Sequence, residues 1–200
     1  MTRFTVLSSC FILGLSLLWA NPRCLKLKPA IQEATERHIS TDYPVHYNIA
    51  TAEKESSCQW KESADGHGSI GYFQLTPKFL DKELRPLFPD YTKPYSKDHF
   101  HAFAYYLNTL IQSNPTPQLW IVYQRYNGGD WVVRECKRAR SWKWERCRQF
   151  CRRGEVCVKK EGTECVQLRS ACEINYEYSF LIHKYAKKYR KGEDGRWRYW

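Results

Sequence analysis

Eight cysteines stand beyond the apolar N-terminus of this chain: Cys24, Cys58, Cys136, Cys147, Cys151, Cys157, Cys165 and Cys172. Six of them fall between residues 131 and 172, a stretch with little apolar periodicity. Such a stretch buries too little apolar surface to hold itself together, so it has to be stapled. An even number in an exported chain implies up to four disulfides. Eight thiols allow on the order of 100 pairings, and spacing does not choose among them. The competing use is a zinc site on Cys147-x3-Cys151 and later thiols. Paired C-x2-C units are missing, and an oxidising compartment disfavours free thiolates, so neither metal nor cofactor is expected.

The first residues, "MTRFTVLSSCFILGLSLLWA", support export. One Arg precedes an apolar run over residues 4–20 that includes the ninth cysteine, Cys10. This is the layout of a secretory signal cleaved near Ala20. The alternative is a retained inner-membrane anchor, since the run approaches the ~17-residue minimum of a membrane span. Either way the remainder, residues 21–200, is expected outside the cytoplasm as a periplasmic or secreted domain.

Charge is unevenly distributed. The formal net charge is +11, and residues 131–172 hold 12 Lys/Arg against 5 Asp/Glu. Residues 1–130 are almost balanced, with 13 against 12. The basic C-terminal third is either a solvated face or a surface for an anionic cell-wall or membrane polymer. Nucleic acid is not expected as a partner, because binding through "RARSWKWERCRQFCRR" conflicts with export.

Periodicity outlines a mainly α protein. Residues 31–40 are weakly helical, and "YNIATAEKESS" reads as a helix running toward Glu55. Thr76-Pro77 starts another helix. Ser96 caps the clearest one, with Phe100, Phe103, Ala104, Leu107, Leu110 and Ile111 at helical spacing. Thr116-Pro117 opens a helix closed by "NGGD", and residues 174–189 form the last. "VCVKKEGTECV" reads as a hairpin turning at Glu161-Gly162. The expected architecture is one helical domain with a small β element and a basic, stapled insertion at 131–172.

The chemistry concentrates in "EKESSCQWKESADGHGSIGYFQLTP", residues 53–77. A carboxylate at the C-terminal end of a helix faces the negative end of the macrodipole. Partial burial would also disfavour its charged form, and both effects suit a general acid. Gly68 and Gly71 let backbone approach a bulky ligand. Gln74 and Asn127 supply the amides that hydroxyl and acetamido groups need.

"EKESS" at 53–57, "GSIGYFQLTP" at 68–77 and "YNGG" at 126–129 occur in that order. Together they resemble the soluble lytic transglycosylase family of the lysozyme superfamily over roughly residues 45–130. That family has a Glu-Ser pair ending a helix, a Gly-Leu-Met-Gln-Leu-x-Pro run and Ala-Tyr-Asn-Ala-Gly. The resemblance implies a lysozyme-like α+β fold and a peptidoglycan glycan strand as substrate. It implies Glu55 as the single catalytic acid/base, with Ser56, Gly71, Phe73, Gln74, Tyr126 and Asn127 around the sugars. It also implies a tyrosine on the last core helix that positions the Glu, for which Tyr176 and Tyr178 both qualify.

The departures matter. Phe73 replaces the usual Met, and Gly128-Gly129 replaces Ala-Gly. Asp65 stands where many members carry a Ser. It is either the second carboxylate of a true hydrolase, which would make the protein a muramidase, or an exposed turn residue. A third expectation, from a different class, is a non-enzymatic basic, Cys-rich wall-binding protein, against which the retention of Glu55 argues.

Overall fold

The computed structural model describes residues 19–63, 68–191 and 194–200. The apolar run through residue 18 and Asp65 lie outside the described residues. The described chain is mainly helical: α1 (Pro22–His38), α2 (His46–Ser56), α3 (Pro77–Leu84), α4 (Lys97–Gln112), α5 (Leu119–Gly128), α6 (Trp131–Ala139), α7 (Trp144–Cys147) and α8 (Ala171–Ala186). One antiparallel hairpin, β1 (Glu155–Glu161) and β2 (Glu164–Ser170), lies between α7 and α8. Among the described residues no helix is long and apolar enough to cross a membrane.

Helix α8 packs on both α2 and α5, while α1 packs on α2 and α4. A buried polar chain threads this core. Tyr123 donates to Asn48 Oδ1 at 3.1 Å, and Asn48 Nδ2 donates to Thr35 Oγ1 at 2.9 Å. Tyr43 and Tyr123 share a hydrogen bond of 2.8 Å. These bonds tie α1, α2 and α5 in one register.

Several boundaries differ from expectation, among them the last helix, which spans residues 171–186 instead of 174–189. The first helix spans residues 22–38 instead of a weak 31–40. Asn21 caps it and Pro22 occupies its first turn, and its buried face is Cys24, Ile31, Ala34 and Thr35. A disulfide cysteine serves there as an apolar position. Helix α5 starts at Leu119, not at Thr116-Pro117. The amides of Leu119 and Trp120 donate to the carbonyls of Arg198 and Tyr199 at 2.8 and 2.9 Å. The C-terminal tail thus fills the role of a cap for the orphan donors of that helix. In the hairpin, Glu161 pairs with Glu164, so the turn is Gly162-Thr163, one residue later than expected. Gly162 has φ +62, a conformation that costs glycine little.

All eight cysteines are paired: Cys24–Cys58, Cys136–Cys147, Cys151–Cys172 and Cys157–Cys165. Four disulfides suit an oxidising, extracytoplasmic compartment. Cys147 and Cys151, weighed in the sequence as zinc ligands, belong to two different bridges. The segment between α5 and α8 also has more helix than its aliphatic residues announce. Helix α6 buries Val132, Glu135 and Cys136, a helical spacing carried by a cysteine and an acid. Glu135 is only 2% exposed and receives two bonds from Arg153, at 3.1 and 3.3 Å.

Candidate active site

Helix α2 delivers Glu55 in its last turn and then stops abruptly. Ser57 and Cys58 both adopt left-handed backbone, with φ of +56 and +58. Two consecutive non-glycine residues in that region are strained. The Cys24–Cys58 bridge holds the strained exit against α1.

Glu55 is half-buried, and Tyr178 Oη donates to its Oε1 at 2.5 Å. Burial pushes the Glu55 carboxyl above the ordinary carboxylate range. The Tyr178 hydrogen bond and the charges of Lys54 and Lys61 pull in the opposite direction without reversing the shift. Lys54 lies 5.4 Å from the centre of the Tyr178 ring, over its face.

The segment 68–76 forms the facing wall. Ile70 and Leu75 pair with each other, and Gly71 N donates to Lys61 O at 2.8 Å. Gln74 sits at φ +51, with Nε2 donating to Gly71 O at 2.8 Å and Lys61 O at 3.0 Å. Two neighbouring helices then pin the loop through its carbonyls. Ser56 Oγ donates to Tyr72 O at 2.8 Å, and Tyr126 Oη donates to Phe73 O at 2.6 Å. Beneath the loop lies His99, with Nδ1 2.8 Å from Tyr91 O and Nε2 accepting from Phe73 N at 3.4 Å. Burial pushes this imidazole down to about 4, against the raising effect of the Tyr91 carbonyl.

Between loop and helices runs a cleft of two adjoining lobes, about 470 and 410 Å³ in volume. Gln74, Thr76, Phe79, Tyr126 and Asn127 line both lobes, so they form one elongated groove. Glu55 opens into the second lobe and is the sole carboxylate among the described lining residues. At the α5 end, Arg125 bonds Asp130 at 2.6 Å, Leu110 O at 2.7 Å and Ser113 Oγ at 3.0 Å. Those contacts hold Tyr126 and Asn127 in place. Asn127 Nδ2 donates to Asn175 Oδ1 at 3.0 Å while its residue stays exposed at the groove.

The structure brings Glu55, Gln74, Tyr126 and Asn127 to the groove. It corrects four other placements. Phe73 is fully buried and stacks on Phe103 with centroids 3.6 Å apart, so it forms core instead of a sugar wall. Ser56 is 2% exposed and spends its hydroxyl on Ala52 O and Tyr72 O, which makes it a brace for the loop. Gly71 is buried over His99 and offers no surface. Tyr176 stacks on Trp144 at 4.5 Å, two residues and about 200° of helical rotation from Tyr178.

Phe79 went unnoticed in the sequence, and Thr76 was expected only as a helix start. Phe79 is 72% exposed on the groove wall. Its only sequence signal is an aromatic residue two places after Pro77, on a helix whose buried residue is Leu84. Thr76, expected as a helix cap, bonds Ser69 Oγ at 2.8 Å instead. One grouping of metal-ligating types exists among the described residues, Glu135 with Cys151 and Cys172. Both sulfurs are in a disulfide and the carboxylate is paired with Arg153, so these residues do not suit a metal. Neither a family model, nor a curated protein, nor a solved structure matches this chain.

Proposed function

We propose that this protein is an exported, lysozyme-like lytic transglycosylase that cuts the β-1,4 bond between N-acetylmuramic acid and N-acetylglucosamine in peptidoglycan. The observation that carries the proposal is the carboxyl of Glu55, the sole one among the described groove residues, made more basic by burial and aimed by Tyr178. A carboxyl of this kind retains its proton nearer neutral pH and can give it away. The ordered motifs around residues 53–57, 68–77 and 126–129 support the same assignment.

In this mechanism Glu55 protonates the glycosidic oxygen as the C1–O bond breaks. The leaving sugar departs with that proton, and positive charge develops at C1 of the muramyl ring. The Glu55 carboxylate then takes the proton of the muramyl 6-hydroxyl. O6 bonds to C1, the 1,6-anhydro ring closes, and Glu55 is again protonated. No water is consumed, so a second carboxylate is not required. An elongated groove suits a polymer, with Phe79 offering a ring face to a sugar and Gln74 and Asn127 offering polar groups.

Mass spectrometry of muropeptides released from peptidoglycan tests the proposal. Anhydro ends are expected, and Glu55→Gln is expected to abolish release while the fold persists. Reducing ends would make the enzyme a hydrolase. Unchanged release by folded Glu55→Gln would remove the assignment.

A further inference from the structure

A second pocket, about 350 Å³, lies where the α6–α7 segment meets α8 and Trp200. Its size is within the ~300–1,000 Å³ of small-ligand clefts. Trp144 and Tyr176 form its floor, parallel within 3° at 4.5 Å. Trp142 is half-buried at its edge, and Trp200 remains 42% exposed, 6.1 Å from Tyr176. Exposed Lys143 and Glu145 stand at the same rim. Core packing accounts for Trp144 and in part for Trp142, but Trp200 stays partly exposed beside charged groups.

This pocket is separate from the groove. Tyr176 and Tyr178 leave α8 about 200° apart, so the helix carries the pocket on one side and Glu55's partner on the other. The surrounding segment is the basic part of the chain, with 12 Lys/Arg against 5 Asp/Glu over residues 131–172.

We propose that this pocket is a non-catalytic binding site for an anionic glycan, the peptidoglycan strand itself. The inference rests on the glycan-cleaving reading for the identity of that strand. The accessible ring surface of Trp142 and Trp200 takes the apolar faces of pyranose rings. Lys143 and Glu145 meet hydroxyl, amide and carboxylate groups at the ring edges, and the cationic segment complements the carboxylates of the peptide stems. Holding the strand at a second point raises the local concentration of cleavable bonds at the groove.

The test uses the full chain and two readouts: retention on insoluble peptidoglycan, measured in a Glu55→Gln background, and cleavage of a short soluble muropeptide tetrasaccharide by the otherwise wild-type enzyme. Trp142→Ala and Trp200→Ala are expected to weaken retention at least about tenfold, because linked contacts multiply avidity. Cleavage of the tetrasaccharide is expected to stay unchanged. Lys143→Glu lies at an exposed position, so it reports on the same pocket if a tryptophan variant fails to fold. Wild-type retention in folded variants overturns the proposal while leaving cleavage intact. Retention that depends on Trp142, in a protein that cleaves nothing, would uphold the binding site and overturn the enzymatic reading. Failure of both readouts in the wild type overturns both.

Discussion

The imidazole of His99 fills the space that a side chain on Gly71 would need, with its Cε1 2.2 Å from the position of a Cβ there. Gly71 also has φ +81, a conformation that other residues rarely take. The ring cannot swing aside cheaply, since Tyr91 O and Phe73 N hold both of its nitrogens. Gly71→Ala is therefore expected to lower stability by at least ~2 kcal/mol and to distort the groove wall. Urea unfolding measures it, and a loss below ~0.5 kcal/mol would show that the loop accommodates the methyl group.

Tyr178→Phe separates aim from acidity. The Tyr178 hydrogen bond lowers the Glu55 pKa against the larger effect of burial. Removing it raises that pKa further. Activity that needs protonated Glu55 falls as pH rises through this pKa, so the alkaline limb of kcat/KM is expected to move to higher pH. The maximal rate is expected to drop about tenfold or more, as the carboxyl loses its fixed orientation. A limb moving downward, or a rate that does not change, would contradict the role given to Tyr178.

His99 predicts acid sensitivity. Its folded pKa, about 4, lies below the ordinary 6.5. The unfolded chain binds this proton more tightly, so the contribution is complete above pH 6.5. It is lost as pH falls toward 4 and is flat below that. The loss is roughly 3 kcal/mol for a fully buried ring. Glu55, with its raised pKa, works against this trend, because the folded state then binds its proton more tightly. Because burial also lowers the pKa of His38, His46 and His183, denaturation between pH 7 and 4 in a Glu55→Gln background is compared with the same protein carrying His99→Gln, and the difference reports His99. A difference that stays level across the window would show that His99 charges without unfolding the loop.

Reduction should be stepwise. Cys157 and Cys165 are bridged within the exposed hairpin, whereas Cys24, Cys136 and Cys147 are fully buried and Cys58 nearly so. Alkylation and peptide mapping under graded reductant is expected to label Cys157 and Cys165 first and Cys24 and Cys58 among the last. Loop entropy gives roughly 4 kcal/mol for the bridge spanning 34 residues and roughly 2.5 for the one spanning 8. Early loss of Cys24–Cys58 would mean that the α2 exit opens locally.

Features set by near neighbours were legible in the chain. Helix α4 followed from Ser96 and its apolar period, α3 from Thr76-Pro77, and the course of α2 to Glu55 from residues 47–57. Disulfide pairing of the eight cysteines beyond the leader followed from their even number and the export-like N-terminus. Capping, periodicity and oxidation act over a few residues or on the whole composition, so a sequence carries them.

Contacts between distant residues were decided only when the helices packed. Tyr176 and Tyr178 look alike in sequence, yet the phase of α8 sends one to Trp144 and the other 123 residues back to Glu55. Which of the many cysteine pairings forms depends on which Cα atoms the fold brings within bridging distance. Phe73 turned inward because Phe103 and His99 were there to receive it, and Arg198 and Tyr199 took over the start of α5 because their carbonyls lie beside it. A side chain's direction depends on partners that lie far along the chain, and those partners have no position until the core has formed.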